Sequence, residues 1–297
     1  MNRIVKLKFV LGLLVVFAAA SAWAADRKAD PGKSFVYKQS AGKPQEMEIY
    51  FPPDWKAGGP KVPGMLLFHG GAWVGGTLDQ FRNAAHYFAT RGLVAATANY
   101  RMLKKGEGKN SDGVIEAKRV CLTDAKSAIR WFKQHADELG IDPQRVIVGG
   151  GSAGGHLAVL ATTNPGLDDP NDPKDFDTSV VAYVLFNPAF SPGDKGDDEV
   201  NVLKHLKASF PPAIMFFGTD DTWKPGADAA LQQLKSLGNT TTEMWLAAGQ
   251  KHSFFNKQPW QDITLTAADN FLVEHGFLKD KCTLAPPAGG EKLVKAP

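Results

Sequence analysis

The order of elements along the chain predicts an α/β fold: a mostly parallel central sheet with helices on both faces and at most a small cap. Short β-rich runs alternate with longer helical patterns. The central β runs are continuous apolar stretches, as strands covered on both faces must be. No internal repeat is present, and 297 residues with 43% hydrophobic content supply one sizeable core.

Extended segments are predicted at Ser34–Tyr37 and at Glu46–Phe51, the second ending at Pro52-Pro53. Gly64–Phe68 follows the breaker Pro63 and is too short for a helix, so it reads as a buried central strand. A helix is predicted over Gln80–Arg91, stopped by Gly92, with the next strand at Leu93–Ala98. Ala125, Ile129, Trp131 and Phe132 give the apolar face of a long helix over Val114–Leu139, and Gly140 ends it. Val146–Val148 is a further strand, three glycines follow, and Gly154–Thr162 turns helical. Asn164–Asp177 is a solvated loop whose acids lack the ligand spacing of a calcium site. Later strands are predicted at Val180–Phe186, Ala213–Phe217 and Thr242–Leu246, with helices at Ala227–Leu237 and Ile263–His275. Residues 283–297 show no periodicity and read as a mobile tail.

The formal charge of +3 is concentrated at the start of the chain. Arg3, Lys6 and Lys8 precede the apolar run Phe9–Ala20, and Ala22 and Ala24 suit the −3 and −1 positions of a signal peptidase. Residues 1–24 therefore read as a leader cut between Ala24 and Ala25, the chain then being secreted or periplasmic. An uncleaved anchor is the alternative, but twelve apolar residues fall short of the roughly 20 a membrane span needs. Without the leader, Lys plus Arg drops from 34 to 31 against 31 acids, leaving a neutral single domain over residues 25–282 followed by the tail. A neutral domain argues against nucleic acid or an anionic membrane surface as partner. Cys121 and Cys282 are compatible with a disulfide and equally with two thiols. Oligomeric state is left open.

Gly150-Gly151-Ser152-Ala153-Gly154 is a G-x-S-x-G between a predicted strand and a predicted helix. That context exposes a serine hydroxyl on a sharp turn, beside the N–H groups of a helix start. Alone, the motif is also compatible with a glycine-rich turn and an N-cap serine. His69-Gly70-Gly71-Ala72-Trp73, directly after the strand Met65–Phe68, supplies the matching loop. Gly71 and Ala72 are the expected N–H donors to a developing oxyanion, joined by Ala153. His69 reads as structural and Trp73 as wall or core. Serine nucleophilicity requires a base and a carboxylate to orient it. Gly218-Thr219-Asp220-Asp221 ends one strand and the loop Gly249–Phe254, which carries His252, follows another. The order Ser152, Asp221, His252 is the order of α/β hydrolases. Asp220 is the competing acid, better suited to a turn, and His205 is an outside candidate for the base.

On these motifs the stretch Gly64–Leu278 resembles the α/β-hydrolase superfamily, in the HGG-motif group of secreted esterases near the hormone-sensitive-lipase and carbohydrate-esterase branches. The resemblance implies that the acid lies three residues beyond the strand-ending Gly218, at Asp221, and that His252 is the histidine of a G-x-x-H-x-F loop. It implies that Tyr100-Arg101 is a structural tie. It implies an acyl-enzyme mechanism with no metal and no cofactor, on small-molecule or polysaccharide esters carrying acetyl or feruloyl groups. One departure is the short Asn187–Phe210 segment, where related lipid esterases carry a helical cap. A small polar lid favours short acyl groups over long ones. A serine peptidase of the same fold, and a non-catalytic binding protein on this scaffold, are the competing readings.

Overall fold

The computed structural model describes residues 29–40, 42–103, 113–191, 194, 196–285, 287 and 289–297. The leader and its cleavage point lie outside them.

Nine strands form one sheet in the order β1-β2-β4-β3-β5-β6-β7-β8-β9. β1 (Lys33–Ser40) and β2 (Lys43–Tyr50) make an antiparallel hairpin at one edge. Six strands run mutually parallel through the centre: β4 (Val94–Ala98), β3 (Val62–Phe68), β5 (Ile141–Gly151), β6 (Ala182–Phe186), β7 (Ala213–Gly218) and β8 (Thr242–Ala247). The continuous apolar runs are explained by cover on both faces. Side chains alternate along β3, so Leu66 and Phe68 join one core layer while Met65 and Leu67 join the other. The first layer packs under α2 (Gly113–Gln134), α4 (Ala153–Thr163) and α5 (Lys224–Ser236); the second packs under α1 (Asp79–Thr90) and α6 (Trp260–Glu274).

Two expectations need correction, and one open alternative is resolved. The long helix breaks at His135, beyond which α3 is the short Ala136–Leu139. The His135 ring nitrogen Nδ1 lies 2.9 Å from the Trp131 carbonyl, which also accepts the His135 N–H at 3.0 Å. The backbone leaves helical geometry at His135 itself, where φ is −93° and ψ is 18°. The tail does not lack structure throughout: Leu293–Lys295 forms β9, antiparallel to β8 and covering its open edge. Lys295 also pairs with Glu243. Of the two cysteine alternatives, the structure has thiols. Cys121 sits in the α2 layer and Cys282 packs against the α6 layer, so the sheet stands between them.

The Asp-rich loop is fastened to α2. Lys126 and Arg130 share Asp168 at 2.9 and 2.6 Å, Arg130 also reaches Asp172 at 3.1 Å, and Lys133 holds Asp177 at 2.5 Å. Those cations recur at helical spacing on one face of α2. The expected lid, in its described residues, is likewise tied down. Arg119 holds Glu199 at 2.8 Å, Lys118 forms a buried ion pair with Asp194, and the Val200 carbonyl meets His156 Nε2 at 2.9 Å.

Candidate active site

The C-terminal ends of β5, β7 and β8 lie near one another in the sheet order, and each delivers one polar side chain to a common point. Ser152 follows β5 at φ 52°, a left-handed backbone that a non-glycine residue holds only when its surroundings enforce it. They do so here through three main-chain bonds. Ser152 N–H donates to Phe186 O at 2.9 Å, and its carbonyl accepts from His156 N at 3.1 Å and Ala189 N at 2.9 Å. Gly154 lets α4 leave against β3, because a Cβ at that position would stand 2.0 Å from Phe68 O.

Ser152 Oγ lies 2.8 Å from His252 Nε2. His252 Nδ1 lies 2.9 Å from Asp221 Oδ2 and 3.1 Å from Oδ1. A carboxylate only accepts, so the ring proton is assigned to Nδ1, which leaves Nε2 as acceptor for the serine hydroxyl. Asp221 is buried, and it also accepts from Asn187 Nδ2 at 2.9 Å and from Trp223 N at 2.9 Å. Asp220 is exposed and accepts from Thr219 Oγ1 at 3.1 Å. His205 is turned to the Asp198 carbonyl at 2.8 Å.

Asn187 is a residue that sequence reasoning missed. It follows β6, donates to Asp221, and accepts the Ser253 N–H through Oδ1 at 3.2 Å, so it joins the acid to the loop that carries His252. The available signal was its place just after a buried strand, at the same sheet end as the other site residues.

The loop after β3 has three consecutive residues at positive φ: Gly71 at 126°, Ala72 at 53° and Trp73 at 63°. Two of them carry side chains, and the buried Trp73 ring anchors the strained segment. It contacts His156 edge-on with centroids 5.2 Å apart, and the Lys118 ammonium stands 4.3 Å from its centre. Among the described residues, the N–H groups of Gly71, Ala72 and Ala153 find no protein acceptor. His69 is buried, stacks on Tyr100 at 4.3 Å, and hydrogen-bonds the Gly70 carbonyl through Nδ1 at 2.7 Å. Burial, partly offset by that bond, holds its pKa below the ordinary imidazole value, so it remains a neutral donor. Tyr100 donates to the His69 carbonyl at 2.7 Å, and Arg101 grips Asp124 with two bonds of 2.8 Å. Both are structural ties.

Beside this point lies a cleft of 860 Å³, bordered by Gly71 and Ser253 and lined by the amides of Asn83, Asn256, Gln258 and Gln261 together with Lys257. No helix among the described residues is long and apolar enough to cross a membrane.

The BD-FAE family model matches residues 47–188. The probable carboxylic ester hydrolase LipM of Mycobacterium tuberculosis is 33% identical over 155 residues, which is 49% of this chain and 32% of that protein. The carboxylesterase NlhH of the same species is 30% identical over 115 residues, 38% of this chain and 32% of its own length. The chain thus matches about a third of these curated relatives. Among solved structures, esterase 2 of Thermogutta terrifontis phosphonylated by sarin superposes with a TM-score of 0.76 at 35% identity, covering 84% of this chain and 97% of the other. Its propionate-bound form gives 0.75 at 36% identity, over 85% and 97%. The elbow, the sheet that carries it and these likenesses together make the chain a member of the α/β-hydrolase superfamily, similar to esterases of the hormone-sensitive-lipase type.

Proposed function

We propose that the chain hydrolyses short-chain carboxylic esters through an acyl-enzyme on Ser152. The observation that carries this reading is the continuous Ser152–His252–Asp221 hydrogen-bond chain of 2.8 and 2.9 Å. Ser152 Oγ attacks the ester carbonyl carbon while its proton passes to His252 Nε2. Asp221 stabilises the imidazolium and keeps the ring in the tautomer that can accept. The carbonyl oxygen, now negative, is taken up by the N–H groups of Gly71, Ala72 and Ala153. Collapse expels the alcohol, which leaves with the proton from His252. Water then attacks the acyl-enzyme with His252 again as base, releasing the acid and restoring Ser152.

The cleft supports the finer reading. Its lining includes the amides of Gln80, Asn83, Asn256, Gln258 and Gln261, which suit hydroxyl-rich groups. The Thermogutta esterase has been solved with propionate and with butyrate bound. The substrate class we infer is therefore an ester of a short aliphatic acyl group such as acetyl, or of the aromatic feruloyl group, on a polysaccharide. On a panel of p-nitrophenyl esters, kcat/KM is expected to be highest at two to four carbons, with release of acid from acetylated xylan or feruloylated sugars. A maximum at eight carbons or more would overturn the short-acyl assignment.

We also infer export, on the basic start, apolar run and small residues Ala22 and Ala24 of the leader. Intact mass of the protein recovered outside the cytoplasm is expected to correspond to a chain beginning at Ala25; a full-length mass there would overturn the cleavage.

A further inference from the structure

Gln80 stands at the start of α1, and its side-chain amide joins two different loops of the site. Its Oε1 accepts the Gly70 N–H at 2.5 Å, and its Nε2 donates to Asn256 Oδ1 at 3.2 Å. Asn256 closes the short 3₁₀ turn Phe254–Asn256 that follows His252. Gly70 is pressed against the nucleophile elbow: a Cβ there would stand 2.9 Å from Gly151 O and 3.1 Å from Ser152 Cβ.

Two successive peptide planes lead into the oxyanion loop, and side chains specify nearly all their polar groups. In the His69–Gly70 peptide the carbonyl accepts from Tyr100 and the N–H donates to Gln80. In the Gly70–Gly71 peptide the carbonyl accepts from His69 Nδ1, which leaves the Gly71 N–H open. Three of the four groups are held by protein, and the fourth, the Gly71 N–H, is the one that the proposed mechanism assigns to the oxyanion. The Gln80 amide offers Gly70 an acceptor and Asn256 a donor from one planar group.

We propose that Gln80 is a positioning residue for the hydrolysis, setting the direction of the Gly71 N–H and clamping the oxyanion loop to the histidine loop. The inference rests on Ser152 being the nucleophile. Such a residue acts on charge present in the transition state and absent from bound ester, so its loss lowers kcat and spares KM.

The test uses the full chain with p-nitrophenyl acetate. An inactive wild type, or a Ser152→Ala variant as fast as wild type, would overturn the serine-esterase reading itself, before position 80 is measured. Given an active wild type, Gln80→Met, similar in length and without hydrogen bonds, is expected to lose about ten-fold in kcat with KM within about two-fold. That is less than the roughly 10²–10³ lost when a donor is deleted outright. Gln80→Glu keeps an acceptor for Gly70 but, once ionised, sets a negative charge beside the oxyanion loop. Its kcat relative to wild type is therefore expected to fall as pH rises through the carboxyl range and to recover as pH falls. The charged groups near position 80 are Asp79 with its partner Arg82, Lys257 across the cleft, and His252 next to Ser253. All are common to both proteins, so the ratio isolates the new carboxyl. A Gln80→Met kcat within two-fold of wild type, a change confined to KM, or a pH-independent Gln80→Glu ratio would each overturn the proposal.

Discussion

Ser152→Ala is expected to lower kcat on p-nitrophenyl acetate by about six orders of magnitude, the loss that accompanies removal of an activated serine nucleophile. The substitution deletes only the Oγ that His252 Nε2 contacts at 2.8 Å. The main-chain bonds that hold the elbow stay in place, so the melting temperature is expected to change little. Donors aimed at the oxyanion remain, and they leave a residual acceleration over water of about 10³–10⁴. A fluorophosphonate probe is expected to label wild type at Ser152 and to leave the variant unlabelled, because labelling requires an activated hydroxyl. That result also separates an enzyme from a binding protein built on the same scaffold. Equal rates in the two proteins would remove Ser152 from the mechanism.

Asp221→Asn is expected to cost about 10⁴ in kcat. An asparagine amide facing His252 Nδ1 donates a proton where the carboxylate accepts one, and this drives the ring proton to Nε2. The serine then has no acceptor. The imidazolium of the transition state also loses its counter-charge inside a buried site, where Asn187 and the Trp223 N–H already address the remaining lone pairs of Asp221. Asp220→Asn, one residue away and exposed, is expected to keep kcat within about two-fold. Equal losses at the two positions would mean that the acid has been misassigned.

The sheet was legible in the chain because parallel strands covered on both faces must be apolar throughout, and Gly64–Phe68 and Ala213–Phe217 have that character. Ser152, Asp221 and His252 were legible because each follows such a strand, at the end where the parallel sheet collects its loops. What escaped depends on partners remote in sequence. Asn187 and Gln80 are ordinary polar residues until tertiary structure sets them between Asp221 and Ser253, or between Gly70 and Asn256. β9 has three residues, too few for any periodicity, and its bonds are organised by the edge of β8. The cations that hold the Asp-rich loop were spaced along α2 in plain view, but which acids they meet is settled only by the path of the loop.

The separation of Cys121 and Cys282 by the sheet has a consequence for where the chain can operate. Cys121 is buried beside the Trp73 and Arg101 carbonyls, and its thiol pKa is pushed well above the ordinary value by burial and by the nearby Asp124 charge. Cys282 shares a 3.2 Å contact with the Tyr87 hydroxyl on the opposite face. No movement short of opening the sheet brings the two sulfurs together. The cohesion of the domain therefore does not depend on the electron balance of its surroundings, because its packing carries no disulfide that reduction could break.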